Sequence, residues 1–497
     1  MRGVDTYQGR GLIADPIHQY ILYTRPDGVP GETTEQDLID SPWMQRLRRV
    51  PQLQSARWVF PAAEHSRFQH SLGAMHLAGR FAQQLHPSLK AEFPDAPSAA
   101  LIEELLRMSG LLHDIGHGPF GHFFDDNFLV DFDLTHEKLG QRIITEQLGD
   151  LIRGQRRSPS GPFEPGESID PEWICYLMGK SYTKPESAHP RWLAHLKPLL
   201  SGIYTADNMD YVLRDSYMCG VAVGPIDIER IIYYSFFSDK GLTLDRGGIQ
   251  AFIMFLNARF YMYTNVYYDR TTRGIDLHLK EIFRDTIRLI FPHDLRKDIH
   301  PYLQLTEWTL LEEVARWQDA DDPERKALGQ EWRHILDRRL KWRMSHEVVL
   351  DIFEPRTLLH PGMWGTLGYA LPAAIGAQIG RPDRVAVALS GDGGFLYSSQ
   401  ELSTAIHEGL NIVAIVFNDN AFGALRTYQD KLYRGRRIGV ELSNPDFAKL
   451  GEAYGARGVK LRSPGELGAA VSDAVERGGV TVIECPIDFD APPPWMP

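Results

Sequence analysis

The chain has 497 residues, with 53 Lys and Arg against 65 Asp and Glu, a formal charge of −12; the length implies roughly two to four domains, and the charge excludes a general nucleic-acid-binding surface, which needs a basic excess. With 43% hydrophobic and 24% charged residues the composition is globular, and three widely separated cysteines, Cys175, Cys219 and Cys485, give neither a disulfide framework nor a cysteine-based zinc site. The first residues lack an apolar stretch and no run of about 18 apolar residues follows, so the expectation is a cytoplasmic protein with no membrane partner.

In chain order, residues 1–356 read as mainly helical and hold 16 of the 18 histidines. Apolar residues at three- and four-residue spacing predict helices over Ser71–Leu85, Ala99–Leu112, His136–Leu148 and Ile249–Tyr263. Arg153–Ser168, rich in Gly, Pro and Ser, predicts an exposed loop. Glu307–Asp351 predicts two helices broken at Asp319–Pro323. Beyond residue 356 the pattern changes, and 19 of the 44 glycines fall there. Val385–Leu389, Ile412–Phe417 and Thr481–Cys485 read as strands, with Ser399–Glu408 a helix between the first two. That alternation predicts a truncated parallel α/β sheet after a helical domain. The domains are placed at 1–355, with a metal core at about 45–220 and a helical remainder at 221–355, and at 356–497.

The densest chemistry lies in LLHDIGHGPFGH, Leu111–His122. An isolated His–Asp pair more often closes a helix than binds a ligand. Here His65, His70, Thr135-His136-Glu137 and Asp207 to Asp215 accompany it. Imidazoles with carboxylates suit a borderline divalent cation, and Arg67 with the further histidines suits phosphate oxygens.

The order His70, His113–Asp114, Asp207 resembles the HD superfamily of metal-dependent phosphohydrolases. Asp15-Pro-Ile-His18, Gln45-Arg-Leu-Arg48, Arg67-Phe-Gln-His70-Ser-Leu-Gly73, His113 to Phe120, Thr135-His-Glu137 and Asp210-Tyr-Val-Leu-Arg-Asp215 occur in order. Together they resemble the deoxynucleoside triphosphate triphosphohydrolase branch over about residues 5–350. The resemblance implies a divalent metal (Mn, Mg, Fe, Ni or Zn) on His70, His113, Asp114 and Asp207, with Asp114 and His117 also in the catalytic set. It implies Arg67, His117 and His122 facing the triphosphate, and His136, with Glu137 beside it, protonating the leaving nucleoside oxygen. Tyr211 and Asp215 would touch the sugar or order the site. Where that family has a lysine after the last ligand this chain has Asn208, and Arg270 or Arg273 is the expected substitute. The implied function is hydrolysis of a dNTP to deoxynucleoside and triphosphate, with a nucleotide as substrate and a homo-oligomer as the assembly.

In the second half, Gly391-Asp392-Gly393-Gly394 ends one predicted strand and Asn418-Asp419-Asn420 another. Both turns would open at the carboxyl edge of a parallel sheet, where ligands bind, and two carboxylates suit a hard cation bridging a diphosphate. With Trp364 to Ala377, Gln400-Glu-Leu402 and Asn418 to Gly423, this region resembles the diphosphate-binding domain of thiamine-diphosphate enzymes of the acetolactate synthase and benzoylformate decarboxylase type. The resemblance covers about residues 357–490. It implies thiamine diphosphate with Mg²⁺ held by Asp392, Asp419 and the Ala421 carbonyl, near Gly391, Gly393 and Gly394. Leu367 would bend the cofactor and Gly365 would meet its aminopyrimidine. The pyrimidine-binding domain that supplies that family's activating glutamate has no counterpart in this sequence, and the first strand of the diphosphate domain is missing. A fusion junction near residue 355 and an uncovered sheet edge are therefore expected. The alternative function is a lyase or carboligase that needs a partner pyrimidine-binding domain.

Overall fold

The computed structural model describes residues 9–179, 189–342, 359 and 367–487. It divides into two compact units, Met1–His346 and Glu347–Pro497. The expected junction at 355, Gly365 and the end of the helix expected to reach Asp351 lie outside the described residues.

The first unit opens with an antiparallel hairpin of β1 (Arg10–Asp15) and β2 (Gln19–Thr24), pairing Leu12 with Leu22. Helix α1 (Arg67–Glu92) follows, longer at both ends than its apolar pattern suggests. Ser66 starts it: the Ser66 amide donates to Gln69 Oε1 at 2.9 Å in a reciprocal cap. Helix α2 (Ala99–Leu112) has the expected bounds, is capped by Ser98, and is buried from Ala100 to Leu112. The two helices touch closely at Gly110, where a Cβ would come within 2.7 Å of the Ala74 carbonyl. Phe81, Met75, Leu105 and Leu112 lie in the core so formed, each side chain contributing about 1.5–3 kcal/mol on burial.

Four short or medium helices complete the part that carries the site: α3 (His122–Asn127), α4 (His136–Arg142), α5 (Ala206–Cys219) and α6 (Ile249–Met262). The expected helices over 136–148 and 249–263 each end in a π turn, at Ile143–Gln147 and Tyr263–Tyr267. Wider turns of this kind displace side chains and recur at functional sites. Then come α7 (Arg270–Ile290), whose first turns also reach the site, α8 (Glu307–Arg316) and α9 (Pro323–Leu336). The break between the last two falls where Asp322 caps Glu324 and Pro323 takes the first helical position. The segment expected as a plain exposed loop instead folds a short hairpin, Arg157–Ser158 against Gly161–Pro162. Ser158 is buried there because its hydroxyl donates to Glu103 at 2.7 Å.

In the second unit α10 (Ala370–Gly380) precedes β3 (Ala386–Gly391), α11 (Asp392–Leu396), α12 (Leu402–His407), β4 (Ile412–Asn418), α13 (Phe447–Ala453), β5 (Arg457–Lys460), α14 (Leu467–Arg477) and β6 (Val480–Pro486). The sheet is parallel throughout, in the order β3-β4-β6-β5. The three expected strands are all present. The fourth, β5, reads Arg-Gly-Val-Lys, an edge strand too polar to reveal itself by apolar pattern. The central strands β4 and β6 are buried, whereas β3 is an edge on which Val387 is 46% and Leu389 53% exposed.

Candidate functional site

His70 lies in the first turn of α1, His113 and Asp114 follow the last residue of α2, and Asp207 lies in the first turn of α5. Three helix ends thus bring four side chains together. His70 Nε2 is 3.1 Å from Asp207 Oδ1 and 3.2 Å from His113 Nε2. His113 Nε2 lies 3.6 Å from Asp207 Oδ1 and 3.4 Å from Asp114 Oδ1. Each imidazole commits its Nδ1 elsewhere: His70 to Asp210 at 2.8 Å and His113 to the Gly110 carbonyl at 2.8 Å. Both Nε2 atoms therefore turn toward Asp207, the geometry in which an outer partner orients a metal-binding imidazole. Burial opposes a charged imidazole, yet Asp207 and Asp210 push His70 up to about 10. Burial likewise opposes ionisation of Asp207, but His113 and His70 hold its carboxyl well below the usual range. Two nitrogens and a carboxylate oxygen fit a borderline divalent cation.

Asp114 joins this cluster to a second one. Its Oδ2 accepts from Arg67 at 2.6 Å, and its Oδ1 is 3.3 Å from His117 Nε2. The His117 and His136 rings stack at 3.8 Å with 12° between planes, and His122 meets both edge-on at 4.8 and 5.0 Å. Burial, Arg67 and His136 hold His117 well below its ordinary value. Thr135 caps α4, and Asp125 grips His136 twice, through its backbone N–H at 3.2 Å and through Nδ1. His136 Nε2 is left for the cavity. Asp125 escaped the sequence reading; its signal was the three-residue spacing from His122 in His-Phe-Phe-Asp.

These groups line one cavity of about 490 Å³. Of the expected residues it brings together Arg67, His70, His113, Asp114, His117, His122, His136, Glu137, Asp207, Tyr211, Asp215 and Arg273. Arg270 is not among the lining residues. Asp215 is held by His65 Nε2 at 2.8 Å and the Tyr267 hydroxyl at 2.6 Å. Tyr263, Tyr267, Tyr268, Thr272, Asp276 and the stretch Gln52 to Ala56 also line the cavity. The run Tyr261 to Tyr268 was the trace of the three tyrosines in the sequence. Beneath the site, Arg214 bridges Asp210 and Asp15 at 2.8 Å each, and His18 Nε2 lies 2.7 Å from Asp210. The blocks containing Asp15, His18, Asp210 and Arg214 are thus one buried support for His70. Gly73 belongs to it, since a Cβ there would collide with Asp210.

In the second unit Gly391 ends β3 and Asp392 opens α11 at the carboxyl edge of the sheet. Asp392 is buried; its Oδ1 accepts from Gly393 at 2.7 Å, and its Oδ2 from Ala421 at 3.2 Å and Asn444 at 2.6 Å. Burial and Asp392 raise the Asp419 carboxyl, while Arg426 stands 3.4 Å from it. A Cβ built on Gly394 would lie 3.7 Å from Leu367 Cδ2, so Leu367 overlies the glycine turn. Two close carboxylates that repel one another fit a hard cation. Asn444 was not foreseen.

Three family models match the chain: the HD domain over residues 67–186, the HD associated region over 226–296, and the C-terminal TPP binding domain of thiamine pyrophosphate enzymes over 342–485. The uncharacterized protein YwfO of Bacillus subtilis is 29% identical over 66% of this chain and 70% of its own length. The deoxynucleoside triphosphate triphosphohydrolase SAMHD1 homolog of Dictyostelium discoideum is 24% identical over 68% of this chain and 61% of its own. Acetolactate synthase of Bacillus subtilis is 39% identical over 28% of this chain, and the chain spans 24% of that enzyme's length. The crystal structure of a phosphohydrolase from Bacteroides thetaiotaomicron superposes with a TM-score of 0.51 at 25% identity, covering 67% of this chain and 78% of that one. Residues 67–186 and 226–296 thus match an HD domain and its associated region, and residues 342–485 match the C-terminal TPP binding domain of thiamine pyrophosphate enzymes.

Proposed function

We propose that the helical unit is a metal-dependent phosphohydrolase that cleaves deoxynucleoside triphosphates to deoxynucleoside and triphosphate. The observation that carries the reading is the pairing of two clusters across Asp114: cation donors on one side, and Arg67 with three histidines on the other. His70, His113, Asp114 and Asp207 would hold the divalent cation, of the Mn, Mg, Fe, Ni or Zn type. When bound it supplies Lewis-acid polarisation of a phosphate oxygen.

The chain's own groups then have distinct tasks. Arg67 and His122 grip phosphate oxygens, and His117 offers them a hydrogen bond. His136 delivers a proton from Nε2 to the departing 5′ oxygen, while Asp125 at Nδ1 fixes the tautomer and steadies the imidazolium. Glu137 stands beside it at the cavity wall. Tyr211 faces the sugar, Asp215, held by His65 and Tyr267, orders the site, and Arg273, rather than Arg270, replaces the cation lost at Asn208. The same reading takes the cytosol as the compartment, a homo-oligomer as the assembly and residue 355 as the boundary between domains. Purified protein with Mn²⁺ is expected to release triphosphate from dNTPs. Asp114→Ala or His70→Ala should lower the rate on the order of 100-fold or more. Absence of release from every dNTP across a panel of metals defeats the reading.

Buried Asp392, with half-buried Asp419 near it, favours a second reading for the other unit, a Mg²⁺-dependent thiamine diphosphate half-site serving a lyase or carboligase with a partner pyrimidine-binding domain. Calorimetry should detect thiamine diphosphate binding that requires Mg²⁺ and is lost in Asp392→Ala; binding unchanged in that variant excludes it.

A further inference from the structure

The turn that carries His117 and His122 is conformationally costly. Phe120 has φ of +60° and Gly121 φ of +53°, two successive left-handed residues, one of them bulky. At Gly121 a Cβ would run into the Arg67 guanidinium. Three buried side chains remote in sequence fasten this turn. The Tyr302 hydroxyl donates to the Gly116 carbonyl at 2.8 Å, Arg46 donates to the His117 carbonyl at 2.8 Å, and Glu307 Oε2 accepts the Phe120 N–H at 3.1 Å.

Of the three, Glu307 alone also reaches another wall of the cavity. Its Oε1 accepts from Arg57 Nε at 3.1 Å and stands 3.0 Å from a terminal nitrogen of the same guanidinium. Arg57 belongs to the 3₁₀ turn Gln54–Trp58, whose Gln54, Ser55 and Ala56 line the cavity. Glu307 is fully buried, at 0% exposure. We infer that Glu307 is a positioning residue that clamps the histidine turn to the 54–58 turn and thereby sets the site's grip on a polyphosphate. The inference rests on the phosphohydrolase reading for its ligand and on geometry alone for the clamp. Without Glu307 the Phe120 N–H is orphaned in the interior and the turn is free to relax to negative φ, which rotates His117 and His122. Of the four cation donors, Asp114 meets the clamped turn through His117, 3.3 Å from its Oδ1, while His70, His113 and Asp207 share no described hydrogen bond or ion pair with Glu307.

The test uses the full chain with Glu307→Ala, Glu307→Asp and Glu307→Gln, and three readouts. The first is the affinity for inorganic triphosphate, the second the affinity for Mn²⁺, and the third the imidazole proton signals of His117 and His136, which ring stacking shifts. Glu307→Ala and Glu307→Asp, which is one methylene too short to hold both partners, are expected to weaken triphosphate binding by about 10- to 100-fold. In both, Mn²⁺ affinity falls far less than triphosphate affinity, and the ring-shifted signals move. Glu307→Gln keeps an acceptor for Phe120 and should recover most of the affinity. Triphosphate affinity that does not change, or equal losses of triphosphate and Mn²⁺ in all three variants, overturns the clamp. If the wild-type protein binds no triphosphate and hydrolyses no nucleotide, the phosphohydrolase reading falls by itself. The clamp is then decided by the imidazole signals, and their constancy in Glu307→Ala overturns it.

Discussion

Glu104 sits inside α2 with neither carboxylate oxygen hydrogen-bonded. Burial raises it well above 4.5, Glu35 and Glu103 push the same way, and Arg107 and Arg157 only partly oppose them. A raised folded value means that nothing is lost below the unfolded value, and that stability falls as pH climbs toward the folded one. Glu104→Gln should therefore be neutral at pH 4 and stabilising by about 1–3 kcal/mol at pH 8. Chemical denaturation at the two pH values checks this, and an equal effect at both refutes it. The site carboxylates behave oppositely. Asp114 and Asp210 are held low against the opposition of burial, by His113 and Arg67 in one case and by Arg214, His18 and His70 in the other. Their contribution is present above the ordinary carboxylate range and is lost as the solution is acidified through it. At this scale the sequence was most informative where a residue type is scarce and chemically committed. His70, His113 and Asp207 stood out, while Asp125 and Glu307 did not, because acidic residues are common and only the fold shows which of them face a histidine or a strained amide.

Among the elements, β3 is the one whose surroundings conflict with its composition. Among the described residues it lies at the sheet edge with Val387 and Leu389 half in solvent, and an apolar edge without a partner strand invites pairing with another chain. Leu389→Lys should reduce light scattering on mild heating while changing stability by less than about 0.5 kcal/mol. Scattering identical to that of the wild type would show that the edge plays no part. Helices α2, α8 and α9 were legible because caps and prolines coincide with their ends. The π turns at Ile143–Gln147 and Tyr263–Tyr267 were not, since local spacing continues smoothly through them and the extra residue per turn answers to distant packing. β5 was hidden for the reason that edge strands are polar: one face has nothing to bury.

For the whole molecule, two compact units and their chemical characters were readable from the shift of histidine to glycine along the chain, and the family matches fall on the same division. What no local pattern could convey is distance. His70 and His113 are 43 residues apart in sequence, and His70 and its support Asp210 are 140 apart. Closing such spans carries an entropic cost that must be met by other contacts before these side chains gain anything from one another. The packing of α1 on α2 supplies such contacts without help from the donors. On the proposed reading, cation capture would thus come late in folding, and a metal at His70 would report a finished helical unit rather than nucleate one.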